Sequence, residues 1–224
     1  MKISMIIPIY NESRTIDTML AQLDALSGDW EILFADGGSS DDTADRIGNR
    51  YRVLHCPKGR ANQMNHGAKY ASSDVIWFVH CDSQLPKDAH DQISRAVSRG
   101  EKWGCFHIGF DYNGPFMGCN TYFSNRRARK GIAFGDQGIW IKKDVFDTIG
   151  GFPDLPIMED YEFSLRMKSA HIPICQLPGR IVTSGRRYQG KFPPVTMWQM
   201  FWLRCLYRRG TDIQQIAQRY KDIR

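Results

Sequence analysis

The sequence predicts an α/β fold: a mostly parallel central sheet with helices on both faces, followed by a C-terminal helical extension. Three observations predict it. β-rich apolar runs alternate with segments of helical spacing along residues 3–98. Alternation of this kind implies parallel strands joined by right-handed crossovers. A length of 224 residues suits one domain with a tail and can bury a sizeable core. The last stretch, residues 193–224, reads as two helices joined at Gly210, an extension of the same domain that residues 1–192 form.

The elements follow in order. Ile3 to Ile9 is a first buried strand. Glu12 to Leu26 carries Ile16, Met19, Leu20, Leu23 and Leu26 at helical spacing. Trp30 to Ala35 is a second strand, and Asp36 to Ser40 a loop. Ser40 or Asp41 can cap a short helix from Asp42 to Gly48. Tyr51 to His55 is a third strand, Ala61 to Ala71 a helix, Asp74 to Val79 a fourth strand and Asp88 to Ser98 a helix. The second half is less regular. Trp103 to Phe110 and Gly138 to Ile141 look like strands. Phe116 to Lys130, Lys143 to Ile149 and Met158 to Ala170 look helical. Pro173 to Cys175 and Ile181 to Thr183 read as two short strands. Val195 to Arg209 and Thr211 to Tyr220 close the chain as a helix pair.

On a parallel sheet, ligands sit beyond the carboxyl ends of the strands. That rule selects Tyr10-Asn11, Asp36-Gly37, Pro57 to Arg60 and His80 to Ser83 as the rim of a site.

Composition excludes several classes. Apolar residues make up 42% and charged residues 24%, which argues against disorder. The apolar N-terminal run ends at Asn11-Glu12, too early for a signal sequence or a span. Val195 to Tyr207 is broken by Thr196, Gln199 and Arg204 and falls short of the roughly 20 residues a span needs. Six scattered cysteines hold no C-x-x-C pair, so no structural zinc site is expected, and they fit a reducing cytoplasm. Charge is uneven. Residues 176–224 hold 10 basic and 2 acidic side chains, whereas residues 1–175 hold 20 and 22. A basic end suggests an anionic partner: a phosphorylated ligand, a membrane surface or nucleic acid.

Several clusters can carry chemistry. Asp36, at a strand's carboxyl end, can accept from a ring imide or a ribose hydroxyl, and Gly37 lets a ligand near the backbone. Ser39 to Asp42 reads better as a polar turn. In His80-Cys81-Asp82 a carboxylate can hold Mg²⁺ or Mn²⁺ against a diphosphate, since these ions need few protein ligands. The bland alternative is a helix-capping Asp82 beside a satisfied histidine. Glu159-Asp160 can supply a general base, or can merely complement a helix dipole. Arg186-Arg187-Tyr188 suits a departing diphosphate, or is a solvated basic turn. Arg60 after Lys58-Gly59 is a similar anion candidate.

Their order adds a resemblance. Ile6-Ile7-Pro8-Ile9-Tyr10-Asn11-Glu12, Asp36-Gly37-Gly38-Ser39-Ser40-Asp41-Asp42-Thr43, Gly59-Arg60-Ala61-Asn62-Gln63-Met64-Asn65, His80-Cys81-Asp82, Phe134-Gly135-Asp136-Gln137-Gly138 and Gly150-Gly151-Phe152-Pro153 before Glu159-Asp160 stand in sequence. The chain resembles the inverting glycosyltransferases of family 2, which have the Rossmann-like GT-A fold. Within them it looks closest to a small bacterial branch with a His-x-Asp metal triplet.

The resemblance implies roles. Pro8, Tyr10 and Glu12 would line the nucleotide base. Asp36 with Gly37 would contact base or ribose, and Arg60 the base or a phosphate. Asp82 would hold Mn²⁺ or Mg²⁺, with His80 beside it in place of the usual aspartate. Asp136 would meet the donor sugar or the acceptor. Asp160 would be the general base, flanked by Glu159. Arg187, with Arg186 and Tyr188, would stabilise the leaving diphosphate. The donor would be a nucleotide sugar, most often a UDP-sugar in this family. A lipid-linked acceptor is one option. Aromatics and arginines within residues 195–209 would allow peripheral contact with the inner face of the cell membrane. Nucleic acid is not expected as a partner.

Other functions fit less well. A nucleotidyltransferase usually has a glycine-rich loop after its first strand, where this chain has Tyr10-Asn11-Glu12-Ser13. A dehydrogenase would need G-x-G-x-x-G there. A non-enzymatic basic protein at a membrane surface would leave Asp36, Asp82 and Asp160 unexplained.

Overall fold

The computed structural model describes residues 1–112, 114, 116–185, 188 and 192–223, the last three by backbone alone. Seven strands form one sheet in the order β3-β2-β1-β4-β6-β5-β7. The strands are β1 (Ile3–Ile9), β2 (Trp30–Asp36), β3 (Arg52–His55), β4 (Val75–Phe78), β5 (Trp103–Phe110), β6 (Trp140–Lys142) and β7 (Cys175–Thr183). Neighbours run parallel except at β6, which is antiparallel to both β4 and β5.

Strand alternation assigns the core. Ile3, Met5, Ile7 and Ile9 of β1 and Val75 and Trp77 of β4 pack on one face. There they meet α1 (Ile16–Ala25) and α4 (Ala89–Ser98) through Met19, Leu23 and Ile93. Ile6, Ile76 and Phe78 point to the other face. They meet α3 (Arg60–Tyr70), α6 (Lys143–Thr148) and α7 (Glu159–Ser169) through Met64, Phe146 and Phe163. The phenyl rings of Phe152 and Phe163, with centroids 4.6 Å apart, anchor α7 against this face.

A smaller cluster joins the C-terminal helices to the body. Leu203 of α8 (Pro193–Arg208) and Ile216 of α9 (Ile213–Ile223) bury against Met158 and Tyr161 at the start of α7. The inner side of the helix pair therefore packs on the domain.

Three expectations need correction. The two short strands near 173–183 are one strand, β7. Pro178-Gly179 reads as a break in sequence, but the register with β5 shifts there, from Phe106↔Leu177 to His107↔Arg180. A bulge absorbs the extra residues and the ladder resumes. The first helix starts at Ile16 because Glu12 to Thr15 form a turn, with Thr15 N–H donating to Glu12 O at 2.9 Å. Capping of α2 (Thr43–Ile47) does not come from Ser40. Asp42 holds the cap position without a side-chain bond, while Asp41 Oδ1 accepts from Thr43 N–H at 3.1 Å.

Candidate active site

The sheet opens at its switch point. β1 pairs with β4 only from Ser4 to Ile6, whereas its ladder with β2 continues to Ile9. Pro8, which has no N–H to donate, lies just past the last β1–β4 pair, where no ladder bond is needed. Tyr10 and His80 to Asp82 follow the carboxyl ends of β1 and β4, and Asp36 is the last residue of β2. Because β6 runs against β4, the loop entering β6 arrives at the same end. That loop is Phe134 to Gly138, and Ile139 O accepts from Phe78 N–H at 2.8 Å.

The first rim is laced by hydrogen bonds. Ser40 N–H donates to Asn11 Oδ1 at 2.8 Å, and Asn11 N–H to Ser39 Oγ at 3.0 Å. Glu12 N–H donates to Thr43 Oγ1, and Thr15 Oγ1 to the Glu12 carboxylate at 2.7 Å. Ser39 to Thr43 thus serve the turn, as the sequence suggests. Asp36 is buried. Its Oδ1 accepts from Ser39 N–H and Oγ–H, and its Oδ2 faces His55 Nδ1 at 3.2 Å. Gln63 of α3 braces this rim from below, donating to Ile9 O at 2.6 Å and Ala35 O at 2.9 Å. Gly37 sits over that amide, where a Cβ would stand 3.1 Å from it. Tyr10 is partly exposed, with Lys58 Nζ 3.7 Å from its ring centroid. This is a cation–π contact between two rim loops.

The second rim holds the acidic helix. Gly59 adopts φ +141°, a conformation side chains resist, and so turns the chain into α3 with Arg60 first. Arg60 Nη1 stands 3.7 Å from Glu159 Oε1. Burial opposes the Arg60 charge, but Glu159, Tyr220, Asp160 and Asp82 outweigh it and hold the guanidinium above its ordinary range. Glu159 is buried. Its burial, and then the Asp160 charge, push its carboxyl up to about 7, while Arg60 pulls the other way.

Asp160 is half-buried and held at both oxygens. Gly135 N–H donates to Oδ2 at 2.8 Å and Tyr161 N–H to Oδ1 at 2.7 Å. A Cβ on Gly135 would stand 2.9 Å from His80 Nε2 and 3.6 Å from Asp160 Oδ2. So the β6 loop, the β4 rim and the start of α7 converge at one point. Met158, immediately before, has a left-handed backbone (φ +69°), a strained state for methionine. Packing on Leu203 and Ile216 holds it there.

Of the His80-Cys81-Asp82 triplet, Cys81 turns inward. Burial pushes its thiol up to about 12, so it stays protonated. Among the described residues, no three His, Cys, Asp or Glu side chains form a cation cage. A single carboxylate with a neighbouring imidazole does not suit structural zinc. It does suit Mg²⁺ or Mn²⁺, whose shell is completed by water and substrate oxygens.

Asp136 lies in the 3-10 turn Gly135–Gln137, beside Arg127 of α5 (Met117–Arg129). Arg127 stacks 3.4 Å from the Phe134 centroid and donates to Gln137 Oε1 at 3.0 Å. Burial draws its guanidinium down to about 10, against the pull of Asp136. Arg204 of α8 approaches the same ring at 5.7 Å, and burial lowers its pKa too. Tyr188 is buried against Phe110, with centroids 5.7 Å apart. Arg186 and Arg187 lie outside the described residues.

Of the residues named from the sequence, Asp160, His80, Arg60, Glu159 and Asp136 lie at one end of the sheet. The sequence reading gave no role to His55 or Arg127, nor to the bracing amides Gln63 and Asn65, which it quoted only as part of the Gly59 to Asn65 motif. Asn65 Nδ2 donates to Phe152 O at 2.7 Å and Phe152 N–H to Asn65 Oδ1 at 2.9 Å, tying α3 to the loop before α7. The available signal was Gln63 standing beside Met64 among the small and apolar residues of the buried face, Ala61, Gly67 and Ala68.

Comparison with known proteins bears on the family and the fold. The family model described as "Glycosyl transferase family 2" matches residues 4–149. A dolichol-phosphate mannosyltransferase of Pyrococcus furiosus is 30% identical over 162 residues, covering 68% of this chain and 45% of the relative. An undecaprenyl-phosphate 4-deoxy-4-formamido-L-arabinose transferase of Enterobacter is 26% identical, covering 63% and 48%. The chain thus spans about half the length of these curated relatives. Among solved structures, S. aureus TarS 1-349 in complex with UDP-GlcNAc aligns with TM-score 0.63 at 17% identity, covering 82% of this chain and 58% of that one. The mannosyltransferase PcManGT of Pyrobaculum calidifontis, in complex with GDP-Man and Mn²⁺, aligns with TM-score 0.62 at 16% identity, covering 99% and 69%.

Proposed function

Since this chain belongs to glycosyl transferase family 2 and has the GT-A fold, we propose that it moves a sugar from a nucleoside-diphosphate sugar to an acceptor hydroxyl, inverting the anomeric carbon. The observation that carries the reading is the meeting of Asp160, Gly135 and His80 beyond the open end of β1 and β4.

Asp160 takes the acceptor proton. It is the better base of the acidic pair because it is half-exposed, whereas Glu159 is buried and faces Arg60. The Gly135 and Tyr161 amides fix its carboxylate, so a free lone pair keeps one direction. The acceptor oxygen then attacks the anomeric carbon opposite the diphosphate. Negative charge grows on the leaving group, and Arg60 stands ready near it, with Glu159 positioning the guanidinium. Arg187, with Arg186 and Tyr188, is assigned to the same diphosphate. Asp82, with His80 beside it, would hold Mn²⁺ or Mg²⁺, which supplies positive charge to the diphosphate oxygens. Tyr10, Pro8, Glu12 and Gly37 form the base-binding rim. Asp36 reaches base or ribose through the oxygen that faces His55. Asp136 meets the sugar or the acceptor.

The donor is assigned as a UDP-sugar, in line with the UDP-GlcNAc complex of TarS, although PcManGT holds GDP-Man. The acceptor is assigned as lipid-linked, since two relatives are named for dolichol-phosphate and undecaprenyl-phosphate. Among the described residues no helix is long and apolar enough to cross a membrane. We place the enzyme in the cytoplasm, with residues 195–209 in peripheral contact with the membrane's inner face. A panel of sugar nucleotides with Mn²⁺, read by released nucleoside diphosphate, tests the reading. Turnover of one donor supports it, and no release from any donor at any metal concentration overturns it.

A further inference from the structure

Two helices far apart in sequence share one outer surface. α5 exposes Tyr122, Phe123 and Arg126, three and four residues apart along one face. α8 exposes Val195, Trp198, Phe201 and Trp202, with Trp198 the most open at 62%. The two surfaces join where the rings of Phe116 and Phe192 meet edge to face at 5.6 Å, just ahead of each helix. The inner sides of the same helices also share a contact: Arg127 and Arg204 both approach Phe134. The helices thus meet at their starts and through Phe134, with Arg127 and Arg204 turned toward that ring and Tyr122, Phe123, Trp198, Phe201 and Trp202 exposed.

The charge on this surface has one sign. Neither α5 nor α8 contains an aspartate or glutamate. Arg126, Arg129, Lys130, Arg208 and Arg209 are exposed on or next to them. Arg204 lies over the Phe201 ring and Arg209 over the Trp202 ring, at 5.8 and 5.9 Å. Aromatic rings interleaved with arginine fit the boundary between headgroups and acyl chains, where rings enter and guanidinium groups meet phosphates. A protein partner of ordinary mixed charge would not require a surface without acids.

We infer that the outer faces of α5 and α8 form a single surface that docks on an anionic lipid bilayer. This rests on the proposed lipid-linked acceptor for its purpose and goes beyond residues 195–209 by making α5 an equal part of the contact. Docking through both helices brings the Phe134–Gly138 loop and Asp160, which lie behind them, close to the bilayer surface.

The test uses the full chain and vesicles of phosphatidylcholine with or without phosphatidylglycerol. The protein should sediment with the anionic vesicles at low salt, and high salt should weaken this. Trp198→Ser with Trp202→Ser should lower partitioning about tenfold or more, and Tyr122→Ser with Phe123→Ser about threefold or more. All four residues are exposed, so equal thermal midpoints check that the variants fold. Binding of the α5 variant equal to wild type overturns the composite surface. No wild-type binding, or a lipid-free dimer that the tryptophan variant dissolves, overturns the membrane assignment. Vesicle binding without turnover of any sugar nucleotide sinks the transfer reading alone and leaves this surface supported.

Discussion

The Gly135 amide donates to Asp160 Oδ2 at 2.8 Å, so the loop entering the antiparallel strand sets the direction of the acidic side chain that opens α7. Gly135→Ala should push against His80, whose Nε2 would stand 2.9 Å from the new methyl group, and so shift the loop that holds Asp160. Turnover should fall roughly 10- to 100-fold, with the thermal midpoint little changed. Steady-state release of nucleoside diphosphate, beside a melting curve, checks both halves.

Asp160→Asn keeps the carbonyl acceptor for Gly135 but removes the base. Transfer should be lost by about a thousandfold or more, with donor affinity by calorimetry within about threefold. Donor binding lost in parallel would assign Asp160 to binding instead.

Asp82→Ala should remove the gain in nucleotide affinity that Mn²⁺ gives the wild type, and a chelator should do the same. Equal affinity of the wild type with and without Mn²⁺ would remove Asp82 from the cation.

Glu159 makes stability depend on pH. Its carboxyl is raised to about 7 in the folded chain, chiefly by burial, against an unfolded value of 4.5. The folded state therefore binds the extra proton between these values, and stability falls as pH rises through that window. Its contribution is full below pH 4.5 and gone above about 7. Glu159→Gln should flatten the slope, by about 3 kcal/mol between the two ends. Denaturation in urea at a series of pH values measures it. An unchanged slope in the variant would mean that Arg60 keeps the carboxylate charged throughout.

Asn65→Ala should leave the Phe152 N–H and C=O without their side-chain partners. The expected cost is about 2 kcal/mol, or a midpoint lower by roughly 4–8 °C for a domain of this size. Differential scanning calorimetry checks it.

Much of this was legible in the sequence, because strand and helix periods are local. β1, β2 and β5 lie where the residue pattern places them, and the carboxyl-end rule places the rim before any motif is named. β7 was misread because Pro178-Gly179 looks like punctuation, and only the β5 partner shows that a bulge carries the strand through. Asp36 looked like a free ligand. In the fold its carboxylate first organises its own loop, through Ser39, and then faces His55, a partner 19 residues away. Arg127 escaped because a basic helix end looks solvated until Phe134 and Gln137 close over it. Pairings across such distances leave no periodic trace.

The packing of Leu203 and Ile216 on Met158 also sets an order of assembly. During synthesis α7 leaves the ribosome well before the helices that hold its first turn. Neither sheet-face core includes a residue of α8 or α9, whereas the cluster around the left-handed Met158 draws Leu203 and Ile216 from them. A chain can therefore carry its sheet before the acidic turn at Met158 takes its final shape, which waits on helices about 40 to 60 residues further along.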